Sequence, residues 1–468
     1  MVQIRKLISV YWPIAVAMVF SLVYLLYLLQ PIDLTSSDLG RHIMNGRLLW
    51  QNPSLLTTNF YSYTYTDYSF VNHHWLTGVL FNAVHWLGWF SLLIWLKAIT
   101  MLATLWLVLF LTKRRFGWLP TILALSLNFW MITERLEVRP EIFSYLFFFI
   151  FLWGLQDFDN EKKWPLFILP LTQLLWVNLH VYFFLGPLLF LIFAAQRLWL
   201  ARNLPDRQLI YKKYLLLGAS LAVATLLNPF FLQGALYPLQ IFQNYGYELA
   251  ENKSPFFMHT LTVNQNIINF FLLLPLFIVS FFANLKRQTV VTIFLSLLAV
   301  GLGIMALRNL TFAALLLIYV IGFNIHHLRY KIIKTIDQRI VLLIVCLFLP
   351  VIIFFTYKST ANLDAVKPTL QNNNSAAAEF VRDNNLTGTV FNNYDIGGYL
   401  IFYHYPSLKT FVDNRPEAYP AKFFQNEYIP MQLENSKWRA AVDKYGFDII
   451  YWRHQEGTPW GRNFFRQR

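Results

Sequence analysis

Long uncharged apolar segments alternate with short polar segments along most of the chain. Each apolar segment is about long enough to cross a hydrocarbon core of roughly 30 Å as a helix. The predicted spans lie near 8–29, 89–112, 117–132, 142–156, 164–178, 181–197, 213–231, 266–284, 289–306, 310–326 and 340–357. The pattern predicts a mainly α protein, in which residues 1–357 form a polytopic transmembrane helical bundle of about 11 spans.

Two longer segments between spans are predicted to be loops on the outer side of the membrane. The first loop covers residues 30–88, and the second loop covers residues 232–265. Residues 75–87 are apolar enough to be a span, but a span there would place the basic cluster that begins at Lys113 on the outer side. We therefore predict that residues 75–87 form a helix at the outer interface.

The pattern changes after Tyr357, where polar residues and short alternating segments replace the apolar runs. We predict a small soluble α/β domain over residues 358–468. Its predicted elements are a helix over 375–383 capped by Ser375, strands over 389–391, 409–413 and 448–452, and a helix over 438–444. Gly397 and Gly398 are predicted to mark a turn or, alternatively, to line an acceptor groove.

Composition supports a membrane protein, because 57% of the residues are hydrophobic and only 13% are charged. Soluble domains are nearer a quarter charged. The formal net charge of +14 does not indicate nucleic-acid binding, because lysine and arginine occur in short clusters between apolar segments instead of on one basic face.

The basic clusters predict orientation, because lysine and arginine in short loops are retained in the cytoplasm. Arg5 and Lys6 place the N-terminus in the cytoplasm, and an odd number of spans then places the C-terminal domain outside. We expect a multi-pass protein of the plasma membrane, with membrane lipid as a partner.

The first loop carries candidate chemistry in Asp38, His42, His73 and His74. A carboxylate and histidines perform acid–base work, bind substrate or hold a metal. Asp38 is alternatively only the N-cap of a following helix. Adjacent helical residues point about 100° apart, so His73 and His74 are not expected to share one metal.

A short turn between two spans gathers acidic and basic residues, namely Glu134, Arg135, Glu137, Arg139 and Glu141. One interpretation is a self-neutralising cluster. The other is that an arginine binds an anionic phosphate while Glu137 or Glu141 orients a hydroxyl. Arg308 and His180, at other predicted outer turns, are further candidates for substrate binding.

Several stretches together resemble the GT-C superfamily of membrane glycosyltransferases, in particular an uncharacterised bacterial branch. They are Asp38, His42 and Gly46; Tyr61–Thr64; His74–Leu76; Arg139 and Pro140; Trp176, Asn178 and His180; Asn228 and Pro229; Asn392–Leu400; and Asp413–Arg415. The resemblance covers nearly the whole chain, although no single stretch is specific to one reaction.

The resemblance implies transfer of a sugar from a polyprenyl-phosphate-linked donor to an extracytoplasmic acceptor, which is a glycan, a lipid or a protein. Asp38 matches the acidic position of the first loop and would be the catalytic base. Glu141 falls on a second acidic position, where many relatives have aspartate. A divalent metal is possible, since some relatives use one, but no metal ligand is assigned here.

The alternative is a non-catalytic protein of the same fold, or a transporter, that acts in cell-envelope assembly. A transporter is expected to place ionisable residues near the bilayer midplane. This chain keeps nearly all of them at the ends of the predicted spans, which favours the enzyme.

Overall fold

The computed structural model of the protein describes residues 2–53, 57–240, 245–247, 249–332 and 368–453. In these ranges the main helices before residue 333 are α1 (Val2–Leu28), α2 (Leu39–Gln51), α3 (Trp75–Phe116), α4 (Trp118–Ile132), α5 (Glu141–Asp159), α6 (Pro165–Leu179), α7 (Leu185–Ala201), α8 (Arg207–Leu226), α9 (Phe231–Leu236), α10 (Pro255–His259), α11 (Gln265–Ala283), α12 (Val290–Met305) and α13 (Leu310–Ile332). Helices dominate, as predicted.

Ten of the predicted spans coincide with helices of the described chain. Seven helices there are long and apolar enough to cross a membrane, while α4, α6 and α12 are apolar but shorter. The protein is therefore a membrane protein. The predicted span over 340–357 lies outside the described residues, so the total of about 11 spans stays a prediction.

Helix α13 forms the centre of the bundle. It packs against α3, α4, α11 and α12, and 83% of its most apolar stretch is buried. By contrast, only 22% of the most apolar stretch is buried in α8 and in α11. Because those two helices expose leucine, valine and phenylalanine side chains, they present the bundle's surface to lipid.

Helix α3 contains the break that was predicted at the end of the first loop. The backbone is non-helical at Gly88 (φ −157°) and Trp89 (φ 55°), which separates residues 75–87 from the long apolar segment that follows. The two parts are therefore distinct helices, and the interfacial position of the first part stays a prediction.

Helix α2 is held between the bundle and the C-terminal segment by contacts that only glycine permits. A Cβ added to Gly46 would lie 2.0 Å from the carbonyl oxygen of Gly78 in α3. A Cβ added to Gly40 would lie 2.8 Å from the carbonyl oxygen of Gly398. These approaches fix the position of the residues at the start of α2, including Asp38.

The C-terminal segment contains α14 (Ala376–Asp383), α15 (Gly397–His404), α16 (Asn435–Tyr445) and two strands, β1 (Val390–Asn392) and β2 (Ile449–Tyr451). The strands pair in parallel, with Phe391 opposite Ile450. Helices α14 and α16 and both strands match predicted elements. Val390 and Tyr399 also belong to the hydrophobic core that includes the bundle.

Three predictions for this segment are wrong in detail. Residues 409–413 form no strand. Thr410 makes an isolated parallel bridge with Ser62 of the first loop, and side chains bind the amides that follow it: Asn392 Oδ1 accepts from the Phe411 amide (2.8 Å), and Tyr419 Oη accepts from the Asp413 amide (3.0 Å). Ser375 stands at the N-cap of α14 without a capping hydrogen bond. Gly397 and Gly398 begin α15 instead of forming a turn. The boundary predicted at residue 357 lies outside the described residues.

A fully buried ion pair joins the C-terminal segment to the first loop. Arg415 donates from Nε and Nη2 to the two oxygens of Asp413, each at 2.7 Å, and from Nη2 to Asn59 Oδ1 at 2.7 Å. Its guanidinium also lies over the rings of Tyr61 and Phe70. The charge is thus paired, hydrogen-bonded and packed, which a buried guanidinium requires.

We expect Arg415→Met to lower the free energy of unfolding by about 3–5 kcal/mol, because Asp413 is left buried without its counter-charge. The measurement is the unfolding temperature of the detergent-purified protein. Arg382→Met is the matched control, because its ion pair with Asp383 is 72% exposed on the arginine side. Equal unfolding temperatures for the two variants would contradict this role.

Candidate functional site

A cavity of about 610 Å³ opens where helix ends meet both long loops and the C-terminal segment. Seven of the ten candidate residues line it: Asp38, His73, His74, Arg139, Glu141, His180 and Arg308. His42 and Arg135 lie directly behind this lining and contact it. Glu137 is exposed and does not line the cavity. The fold therefore brings together residues that are up to 270 positions apart in sequence.

Asp38 is the acidic group of the first loop that faces the cavity. Its Oδ2 lies 3.4 Å from His42 Nε2 and 3.5 Å from Arg41 Nη2, and its Oδ1 lies 3.9 Å from Arg139 Nε. Oδ1 has no hydrogen-bond partner, and the carboxylate caps no backbone amide. Asp38 is therefore at the N-cap position of α2, but its carboxylate contacts neighbouring side chains instead, and its buried Oδ1 has no donor.

Burial raises the pKa of the Asp38 carboxyl, but the charge of Arg139, the hydrogen bond from His42 and the charge of Arg41 outweigh it and hold the pKa well below its usual range. The pKa of His42 is lowered by burial and by Arg41, so its imidazole is neutral at neutral pH. Asp38 is thus an ionised carboxylate beside a neutral histidine.

The turn between α4 and α5 is fixed from both sides. Lys97 of α3 is buried, and its Nζ donates to the carbonyl oxygen of Leu136 at 2.6 Å. Asn264 and Asn266, at the start of α11, donate to the carboxylate of Glu134. With these contacts the turn directs the guanidiniums of Arg135 and Arg139 toward the cavity.

Glu251 of the second loop is shared by three guanidinium groups. Its carboxylate accepts from Arg135 Nη1 at 2.9 Å and from Arg139 Nη1 at 3.1 Å, and it lies 3.9 Å from Arg308 Nη1. Burial raises the pKa of Glu251, but Arg135 and Arg139 together lower it to about 2. Arg135 also forms an ion pair with Glu141. The turn is therefore only partly self-neutralising, because Arg135 pairs with Glu141 inside it while both of its arginines also pair with Glu251 from another loop.

Three guanidinium nitrogens at this cluster are buried without a hydrogen-bond partner: Arg135 Nη2, Arg139 Nε and Arg308 Nε. A buried donor without an acceptor costs about 1–3 kcal/mol, and more for a charged group. Arg139 and Arg308 line the cavity directly. Their arrangement suits an anionic ligand such as a phosphate, whose oxygens accept from several guanidinium N–H groups.

Four histidines form a row beside Asp38. The ring centroids of His42 and His74 are 5.6 Å apart, and those of His74 and His180 are 5.2 Å apart and stacked. His73 contacts His74 at 3.8 Å, and the side chain of His180 is held by Ser144 at 2.7 Å. Burial lowers the pKa of His73 to about 3 and the pKa of His74 and His180 well below the usual range. The row is uncharged at neutral pH.

The donor set of the cavity does not suit a divalent metal. Within the described residues, no three or more His, Cys, Asp or Glu side chains are grouped so that they could hold an ion. In addition, Asp38, Glu141 and Glu251 each have a guanidinium within 4 Å, which competes with a cation for the same oxygens. No step proposed below uses a metal.

Sequence reasoning missed several residues of the cavity. Besides Glu251 they include Tyr237, Tyr245, Tyr247, Asn414 and Glu417. The need for a carboxylate such as Glu251 follows only from the structure, which brings three arginines together. Nothing in the sequence identified which distant acidic residue supplies it.

We expect Glu251→Gln to destabilise the protein by about 2–3 kcal/mol at neutral pH, less than for a fully buried pair because the side chain is 25% exposed. Since the folded-state pKa is depressed, this contribution is present above the ordinary pKa of glutamate and is lost as pH falls toward about 2. The measurement is unfolding temperature against pH.

The exposed Glu137 supplies the control for this experiment, since Glu137→Gln changes the same charge in the neighbouring turn. The unfolding temperature of Glu137→Gln should equal that of the wild type at each pH. A Glu251→Gln defect that grows at acidic pH would be inconsistent with the assigned ion pairs.

Comparison with known proteins bears on the fold. The sequence matches no protein-family model and has no significant match to a curated protein. The fold is similar to the crystal structure of the Archaeoglobus fulgidus oligosaccharyltransferase in the apo form, with a TM-score of 0.60, 13% sequence identity, and coverage of 93% of this chain and 69% of that chain. At this identity the likeness establishes the fold alone. The chain is therefore a membrane protein whose fold is similar to that of this archaeal protein.

Proposed function

We propose that the protein is a glycosyltransferase that moves a sugar from a polyprenyl-phosphate-linked donor to an acceptor hydroxyl or amide in the cavity. The observation that carries the proposal is the juxtaposition, in one cavity, of an ionised carboxylate with a free oxygen and two buried guanidiniums with unpaired N–H groups. The GT-C-like fold supports it, since the archaeal protein of similar fold is an oligosaccharyltransferase.

The proposed reaction assigns each charged side chain a role. Oδ1 of Asp38 takes the proton of the acceptor as the acceptor atom bonds to the anomeric carbon of the sugar. The bond between that carbon and the phosphate oxygen breaks, and its electron pair leaves with the polyprenyl phosphate. Arg139 and Arg308 stabilise the charge that develops on the leaving phosphate.

The remaining candidates support these groups. His42 holds Oδ2 of Asp38 at 3.4 Å and so leaves Oδ1 without a hydrogen-bond partner, beside Arg139. Glu141 pairs with Arg135 and positions the arginine cluster, so its role is to orient the phosphate site. His73, His74 and His180 line the cavity as neutral groups and contact bound substrate.

We further propose that the cavity opens on the non-cytoplasmic face of the plasma membrane, with the N-terminus in the cytoplasm. The basic cluster Lys113–Arg115 supports this orientation, because it lies at the end of α3 farthest from the first loop. A polyprenyl-phosphate donor suits this location, since its lipid keeps the activated sugar at the membrane surface.

We expect Asp38→Asn to lower the rate of sugar transfer by about 100- to 10,000-fold, because the acceptor proton loses its base. The assay follows transfer of labelled sugar from polyprenyl-phosphate-linked donors to membrane acceptors. Asp67→Asn is the matched control: Asp67 lies in the same loop with φ 65°, a conformation that asparagine also adopts. Full activity of Asp38→Asn would refute the assignment, and sugar transport without transfer would favour a transporter.

The depressed pKa of Asp38 also predicts the pH profile. The base must be ionised, and its pKa lies well below the usual range, so kcat/KM is expected to stay level from neutral pH down to about pH 5. Initial rates across this range test the expectation. An acidic limb between about pH 5 and 7 that persists in Asp38→Glu would indicate a different base.

A further inference from the structure

We infer that the side of the cavity formed by the second loop and the C-terminal segment is a carbohydrate subsite, which holds the acceptor of the proposed reaction as a pyranose ring. The inference rests on the proposed function, because transfer requires a second substrate beside Asp38. It narrows the acceptor from glycan, lipid or protein to carbohydrate.

Aromatic rings concentrate on this side of the cavity. Tyr245 and Tyr247 line it and are partly exposed. Between them Gly246 has φ +81°, and a Cβ added there would lie 2.5 Å from the carbonyl oxygen of Ala421. This close contact fixes the two tyrosines against the C-terminal segment. Next to them the rings of His73 and Tyr237 stack with centroids 4.6 Å apart. Flat rings bind the C–H faces of a pyranose while leaving its hydroxyls free.

Two polar side chains of the C-terminal segment complete the subsite. Asn414 accepts from Arg41 Nε at 2.9 Å, so its amide is held in place. Glu417 lines the cavity near Tyr237 and Tyr245. Burial raises the pKa of Glu417 despite the charges of Arg41 and Arg415. The carboxyl oxygens of Glu417 accept hydrogen bonds, and the amide nitrogen of Asn414 donates them. Hydroxyl groups of a sugar offer both partners.

A continuous series of contacts orders the cavity from this subsite to the arginines. It runs from Asn414 to Arg41 (2.9 Å), Asp38 (3.5 Å), Arg139 (3.9 Å), Glu251 (3.1 Å) and Arg308 (3.9 Å). Asp38 therefore stands between the aromatic side and the phosphate side. Its Oδ2 contacts Arg41, and its Oδ1 faces Arg139. A sugar hydroxyl bound on the aromatic side is therefore close to the Asp38 carboxylate, while the donor phosphate meets Arg139 and Arg308 on the other side.

The lining distinguishes a sugar from a lipid acceptor. An aliphatic ligand is best bound by an apolar wall, and burying a carboxyl and an amide against it carries a desolvation cost. Here the rings of Tyr237, Tyr245 and Tyr247 share the lining with the polar side chains of Glu417 and Asn414. This combination matches a ligand with apolar faces and hydroxylated edges.

The test is binding to the full-length protein in a detergent without a sugar headgroup. The probes are methyl pyranosides of the gluco, galacto, manno and N-acetylglucosamine series, whose binding is followed by saturation-transfer NMR, and inorganic pyrophosphate, whose binding is followed by phosphorus NMR. We expect at least one pyranoside to bind. Tyr245→Leu and Glu417→Gln should each lower the affinity for that pyranoside by about fivefold or more. Tyr245→Phe, which keeps the ring, should bind like the wild type.

Arg308→Gln separates the inference from the function on which it rests. It should weaken the binding of pyrophosphate and leave the binding of the pyranoside unchanged. Tyr245→Leu should weaken the binding of the pyranoside and leave the binding of pyrophosphate unchanged. Failure of pyrophosphate to bind would count against the proposed function alone. Binding of none of the pyranosides, or pyranoside affinity unaffected by both Tyr245→Leu and Glu417→Gln, would overturn the subsite.

A sugar 1-phosphate distinguishes the acceptor's sugar from the donor's. If the aromatic side held the donor sugar, the affinity of this single ligand would fall in Tyr245→Leu as well as in Arg308→Gln, and the acceptor assignment would be overturned. Dependence on Arg308 alone supports it.

Discussion

The site depends on the balance of several guanidinium groups inside a largely buried cavity. Arg135, Arg139 and Arg308 come from two separate turns, yet all three approach Glu251 of the second loop. In a low-dielectric environment, three such charges repel one another unless a carboxylate lies among them. Glu251 therefore does more than add one ion pair. It allows the turn after α4, the second loop and the turn before α13 to meet, and thereby creates the cavity.

The balance is incomplete in a way that serves ligand binding. Each arginine of the cluster keeps one buried N–H group without an acceptor, and Asp38 keeps one oxygen without a donor. A protein selected for stability alone would pair these atoms, because each unmade hydrogen bond costs free energy. In the proposed reaction these unpaired atoms preorganise the cavity, because a phosphate and an acceptor proton would find their partners without rearrangement. The rigid ion pair of Asp413 and Arg415 holds the wall that bears the opposite half of the site.

The helices were predictable because hydropathy is a local property. A run of leucine and phenylalanine near 266–284 must avoid water whatever its neighbours are, and α11 follows. The break at Gly88 was predictable as well, although from the distribution of charge and not from glycine itself. The false strand at 409–413 shows the limit. Alternation predicted pairing along a whole strand, but only Thr410 pairs with another backbone segment, and the side chains of Asn392 and Tyr419 bind the amides of Phe411 and Asp413. Glu251 lies 116 positions from Arg135, so no local pattern connects them.

The position of the charges argues for group transfer over passage of a solute. Ionisable side chains of the described cavity come from loops and helix ends, and Lys97, which is buried within α3, directs its amine to the backbone of the turn at Leu136. A transport pathway instead needs binding groups near the centre of the bilayer and helices interrupted there. Asp38 has an additional consequence for mechanism. A carboxylate held ionised by Arg139 and Arg41 is a weak base, so it removes a proton effectively only after the acceptor atom has begun to bond and has become acidic. In the proposed reaction the leaving phosphate must then carry most of the developing charge at that moment, and this is the charge that the guanidinium groups of Arg139 and Arg308 are proposed to stabilise.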